Sequence, residues 1–106
     1  MNDIDIEKEI QEKGLNAPRV PLDNLHAKIK EVEIVKHVSV SGQVLRWAVL
    51  TMENGFAVTG SPSCSVSCEN DDVELGEKIA IKNAENEVWA LEGYALKQKL
   101  YEQPST

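Results

Sequence analysis

Val44-Leu45-Arg46-Trp47-Ala48-Val49-Leu50-Thr51-Met52-Glu53-Asn54-Gly55-Phe56-Ala57-Val58-Thr59-Gly60 reads as a strand, a tight turn and a returning strand. Alternation places Trp47, Val49 and Thr51 on one side and Arg46, Ala48, Leu50 and Met52 on the other, the period of two that a pleated strand imposes. Asn54-Gly55 predicts a type I′ hairpin, which needs positive φ at both central residues, with Phe56 to Gly60 returning as the next strand. Upstream, Glu33 to Ser41 alternates as well, Ile34, Lys36, Val38 and Val40 standing opposite Val35, His37 and Ser39 before Gly42 closes the run. Three consecutive strands with short connections form an antiparallel β-meander.

The flanks read as helices. Ile4, Ile6 and Ile10 in a run of Glu and Lys predict a short amphipathic helix from Asp3 or Asp5 to Lys13, stopped by Gly14. Asn16 to Pro21 is an extended linker, because each proline drives its predecessor out of the helical region. From Pro21, Leu22, Leu25, Ile29 and Val32 recur at three- and four-residue steps and predict a second helix that exposes Asp23, Lys28, Lys30 and Glu31. Ser61 to Glu69 has no period and reads as a loop. Asp71 followed by Glu74 suggests a capping box that starts a last helix at Asp72, running to about Tyr101. One stripe of that helix is Ala80, Ala84, Val88, Leu91 and Ala95. Trp89, Leu96 and Leu100 lie roughly opposite and must meet the N-terminal helices or a second copy of the chain. A homodimer is therefore expected, three strands and short helices giving a thin core.

The expected fold class is α+β: two N-terminal helices, a three-stranded antiparallel β-meander and a long C-terminal helix packed on the sheet. Residues 1–15 form the N-terminal helix, 16–101 one α+β domain and 102–106 a disordered tail. The expected core is Leu25, Ile29, Val38, Val40, Val49, Phe56, Val58, Ala84, Val88 and Leu91.

Composition narrows the function. At 106 residues and 42% hydrophobic content the chain has room for one core. Its 11 basic residues stand scattered against 18 acidic ones, a net charge of −7 that argues against a nucleic-acid groove. No apolar run approaches a membrane span, and the acidic start Met1-Asn2-Asp3-Ile4-Asp5 is unlike a signal peptide. The expected location is therefore the cytoplasm where the chain is made. There Cys64 and Cys68 stay reduced, and their spacing, with no companion His or Cys pair, is not a zinc pattern.

Three pieces carry a resemblance to a known family: Ala17-Pro18-Arg19-Val20, the Leu50 to Gly60 stretch containing NGFxVTG, and Gly76 to Leu96 containing Asn83-Ala84 and Leu91-Glu92-Gly93-Tyr94. In this order and spacing they resemble small tailed-phage proteins typified by gene product 49 of coliphage N-four and gene product 66 of Shigella phage Sf-six. Ala90 departs from the family's more usual Pro or Gln after the Trp, a difference that touches only a local bend of the helix. The resemblance covers roughly residues 16 to 101. It implies a phage or prophage origin, hence a host bacterial cytoplasm, and brings no reaction with it.

Candidate chemistry is sparse. His26 and His37 have no Cys, Asp or Glu at ligand spacing, so no metal or other cofactor is expected. Cys64 or Ser65 with His37 as base lacks the strand-elbow-helix context of a nucleophile. Glu69, Asp71 and Asp72 read as helix-start charges. Glu92, beside Gly93 and Tyr94, reads as solvated or paired with Arg46 or Lys97. The residue types left for binding a small polar ligand are Thr59, Ser61, Ser63 and Cys64, with Trp89 and Tyr94 as stacking faces. The reading is a non-enzymatic phage accessory protein that binds and modulates a host protein, a defence component being one candidate. Its rival is a protein that sequesters a nucleotide-like small molecule.

Overall fold

The structure, a computed structural model, describes residues 3–15 and 17–104. Its elements are helix α1 (Asp3–Glu12), helix α2 (Leu22–Ala27), strands β1 (Ile29–Val38), β2 (Val44–Met52), β3 (Ala57–Thr59) and β4 (Ser63–Ser65), a 3₁₀ turn (Cys68–Asn70) and helix α3 (Val73–Glu102). The fold is α+β: short N-terminal helices, an antiparallel sheet, and a long C-terminal helix packed on it. β2 is central, pairing with β1 along one side and with β3 and then β4 along the other.

Burial alternates strictly along β2. Val44, Arg46, Ala48, Leu50 and Met52 are buried beneath the helices, whereas Leu45, Trp47, Val49 and Thr51 face the other way and are half-buried. α3 meets this surface with Ala80, Ala84 and Val88 at four-residue steps, and small side chains let helix and strand approach closely. Leu25 of α2 and Val58 of β3 complete the cluster. Trp89 packs against it, and Leu96 shares a groove with Arg19, Val20 and Asn24, so part of the second stripe of α3 is met by the chain's own N-terminal segment.

Several expectations are corrected. α2 ends at Ala27, and Ile29 and Val32 belong to β1. The β-branched Val32, Ile34 and Val35 favour a strand, and pairing with β2 overrides a helical spacing that spanned about three turns. Neither hairpin uses a type I′ turn. Gly42 and Gly55 have φ of +93° and +89°, and no other described residue in these loops has positive φ. Each loop is a three-residue connection closed in the same way: Ser39 N–H reaches the Gln43 carbonyl and Gly42 N–H the Ser39 carbonyl, as Met52 reaches Phe56 and Gly55 reaches Met52. Val40 sits in the first of these loops and Phe56 just after the second, so both are exposed rather than core. Val38, at the far end of β1, is also exposed. Leu91 is exposed because no residue of α3 after Val88 is buried. Val49 lies on the opposite face of β2. Leu22, Val44, Ala48, Leu50, Met52 and Ala80 take these places in the core.

The stretch read as a loop contains β4. Thr59 faces Val49 and Ser63 faces Arg46, four steps against three, so one extra residue bulges out at Gly60–Pro62 and splits the third strand position in two. The helix cap is shifted by one residue from its expected frame. Asp72 is the N-cap and accepts from Leu75 N–H at 3.0 Å, leaving Asp71 free for another partner. α3 runs through Glu102, so the expected tail loses its first residue to the helix. Residues 105 and 106 of that tail, like 1, 2 and 16 of the other ranges, lie outside the described residues.

Candidate functional site

The most closely built polar site stands where β4 meets the start of α3. Arg46 occupies a core-facing position of β2 between Val44 and Ala48, which buries its side chain to 4% exposure beneath α3. A buried guanidinium needs a carboxylate, and Asp71 supplies a bidentate one, with Nη1 to Oδ1 at 2.6 Å and Nη2 to Oδ2 at 2.7 Å. The Ser65 hydroxyl donates to the same carboxylate at 3.3 Å. The hydrogen bond from Arg46 holds the Asp71 carboxyl below its ordinary value of 3.8, outweighing the opposing effect of burial. Gly76 makes the room, because a Cβ there would stand 2.9 Å from Arg46 Nη1. The cavity beside this pair holds about 110 Å³ and is lined by Ser63, Cys64, Ser65 and Asp71 among others.

A second crossing lies one strand away. A Cβ on Gly60 would come within 2.4 Å of the Asn83 carbonyl oxygen and 2.7 Å of Ala84 N, so only glycine lets the bulged strand lie on the backbone of α3. The Asn83 side-chain amide closes the contact by donating to the Ser61 carbonyl at 3.0 Å. The third polar cluster ties α1 to the body. The Asp3 carboxylate pairs with Lys82 and accepts from the Trp89 indole at 3.1 Å, and the Lys82 hydrogen bond is the largest cause of its lowered carboxyl pKa. Arg19 grips Glu7 at 2.9 Å.

Of the residues singled out for ligand binding, Ser63 faces Arg46 at the cavity, whereas Cys64 lines its rim with a side chain that the pairing with Leu45 turns to the opposite, exposed face. Thr59 points to the opposite face of the sheet, alongside Val49. Ser61 is engaged through its carbonyl. Trp89 lies thirteen residues along α3 from Gly76, about 20 Å away at 1.5 Å per residue, and is occupied by Asp3. Tyr94 is exposed beyond the core. Glu92 is half-buried beside Lys28, whose pKa it helps to raise, and has no contact with Arg46. Arg46 and Asp71 carry the site, and the signal for them was legible: an arginine at an inward position of an apolar strand demands a buried acid.

The pieces NGFxVTG and Gly76 to Leu96 thus meet in space, Gly60 on Asn83-Ala84 and Gly76 on Arg46. A family profile matches residues 5–100. The chain belongs to the Phage protein (N4 Gp49/phage Sf6 gene 66) family. No curated protein and no solved structure matches it. The matched range takes in most of α1 as well as the sheet and most of α3, so this phage family's pattern spans the Arg46 and Gly60 sites and the Glu7–Arg19 pair, while Asp3 lies just before it. Among the described residues no helix is long and apolar enough to cross a membrane.

Proposed function

We propose that this phage protein is a non-enzymatic binding protein whose partner, a host protein in the infected cell, docks on the face of the sheet that the helices leave open. The observation behind this is the one-sided cladding of β2. Every buried residue of that strand faces α2 and α3, while Leu45, Trp47 and Val49 form a row on the other side with exposed Val35 paired to Trp47. The shape agrees. The molecule is only 18 Å through its thinnest axis, the depth of one sheet and one helical layer. Tryptophan is among the residue types that most often anchor protein interfaces.

The sequestering alternative draws no support from the Arg46 cavity. Small-molecule sites of drug size occupy about 300–1,000 Å³, against about 110 Å³ here, and both guanidinium ends are already taken by Asp71. Affinity purification from infected cells with the parent chain and with Trp47→Ser tests the reading. The parent should enrich one host protein that the folded variant loses, and a nucleotide panel should leave the melting temperature unchanged. A nucleotide-induced thermal shift, or a partner retained by Trp47→Ser, would overturn it.

A further inference from the structure

The two edges of the sheet are finished differently. One is made of β3 and β4, three residues each, interrupted by a bulge and Pro62, devices that discourage further pairing. The other is β1, ten residues long, paired on one side only and exposed along most of its length. Its hydrogen-bonding frame follows from the turn. Ser39 N–H bonds the Gln43 carbonyl, and the register from Glu31↔Thr51 to Val38↔Val44 is unbroken, so Glu31, Glu33, Val35 and His37 exchange bonds with β2. Val32, Ile34, Lys36 and Val38 therefore turn their N–H and C=O groups outward along the free edge.

We propose that this edge is completed by β1 of a second copy, antiparallel about a two-fold axis at Val35. The outward-bonding residues must pair with one another, which leaves few two-fold registers. An axis at Glu33 sets that carboxylate against its own copy and Lys30 against the partner's Lys36. An axis at Lys36 sets lysine against lysine. An axis at Ile34 puts Glu33 against the partner's Val35. The axis at Val35 leaves one mismatched pair, Ile34 against the partner's Lys36, where the axis at Ile34 leaves two, and it otherwise sets Val35 against the partner's Val35, Val32 against the partner's Val38, and Glu33 beside the partner's His37. The last pairing occurs twice by symmetry, the self-complementarity that an isologous contact requires and a foreign strand would have to supply separately.

The packing leaves room for it. Only Ile29 and Ile34 of β1 are even half-buried, so no helix blocks the approach of a second strand. Both copies of α3 would lie on the same side of one continuous sheet. On the other side, Trp47 and Val35, cross-strand neighbours in each copy, would join into a single row through the axis. Oligomeric state is read on the purified chain alone, so this inference stands or falls without reference to any host partner.

The test uses cysteine placement in a Cys64→Ser, Cys68→Ser background. A residue opposite itself in a non-hydrogen-bonded antiparallel pair has Cα atoms about 4.5 Å apart, within the span a disulfide bridges. Val35→Cys should therefore form a disulfide-linked dimer under mild oxidation, and Ile34→Cys should not. In sedimentation the parent should run as a dimer at micromolar concentration, and Val35→Lys, which sets two ammonium groups face to face, should halve the mass with an unchanged far-ultraviolet circular dichroism spectrum. A monomeric parent, or cross-linking through Ile34→Cys in preference to Val35→Cys, would overturn the proposal. Should Val35→Lys misfold, the cysteine pair decides alone.

Discussion

α3 and α1 both lie on the helical side of the sheet, yet different chemistry holds them there. α3 is seated by fully buried Ala80, Ala84 and Val88, by a backbone-to-backbone crossing at Gly60, and by the Arg46–Asp71 pair at its start. α1 buries no residue completely and is held by charged side chains that keep part of their hydration, Asp3 to Lys82 and Glu7 to Arg19. Removing water from a contact makes it both strong and intolerant of change. A contact left wet is weak, screened by salt and replaceable.

The largest expected effect lies at the dry end of this contrast. Asp71→Ala would leave the Arg46 guanidinium buried without its acceptor, and the melting temperature should fall by more than about 15 °C. The same pair predicts the acid response. The folded-state pKa of Asp71 is lowered by Arg46, so the stability it contributes is present at neutral pH and is lost as pH falls below the unfolded value of 3.8. Thermal melts between neutrality and pH 3 should show this loss, and Asp71→Asn should reduce it, leaving the part that the lowered carboxyl pKa of Asp3 contributes. A parent whose stability is level across that range would break the account of the site.

Gly60→Ala comes next. Its methyl group would have to displace the backbone of Asn83 and Ala84, an overpacking that costs roughly 1–3 kcal/mol, measurable by urea denaturation. An unchanged midpoint would mean that the strand and helix do not cross there. The smallest effect belongs to α1. Asp3→Ala should change global stability by less than about 1 kcal/mol, while raising amide exchange across α1 and altering Trp89 fluorescence. High salt should reproduce that loosening in the parent without disturbing α3. If Asp3→Ala instead lowers the melting temperature as far as Gly60→Ala, α1 belongs to the cooperative core and the contrast fails.

The sequence by itself determined the elements with a strong local signal. The alternation from Val44 to Met52, the Gly55 turn, the helix opened by its Asp caps and the stop at Gly14 are each set by nearest-neighbour chemistry, and together they made the α+β architecture readable. The family pattern was legible too, because its glycines and its Asn83-Ala84 pair stand at fixed positions along the chain. Tertiary structure decided what local signals left undetermined. Ile29 and Val32 fit a helical spacing as well as a strand, and only the partner strand β2 could choose between them. Val38, Val40, Phe56 and Leu91 are apolar enough for a core, but burial depends on where the helices end over the sheet, a property of the assembled layers. Asp71 looked like a cap until Arg46, distant in sequence, arrived beneath α3 to claim it, because an inward charge on a central strand must be neutralised by whatever acid the packing brings within reach.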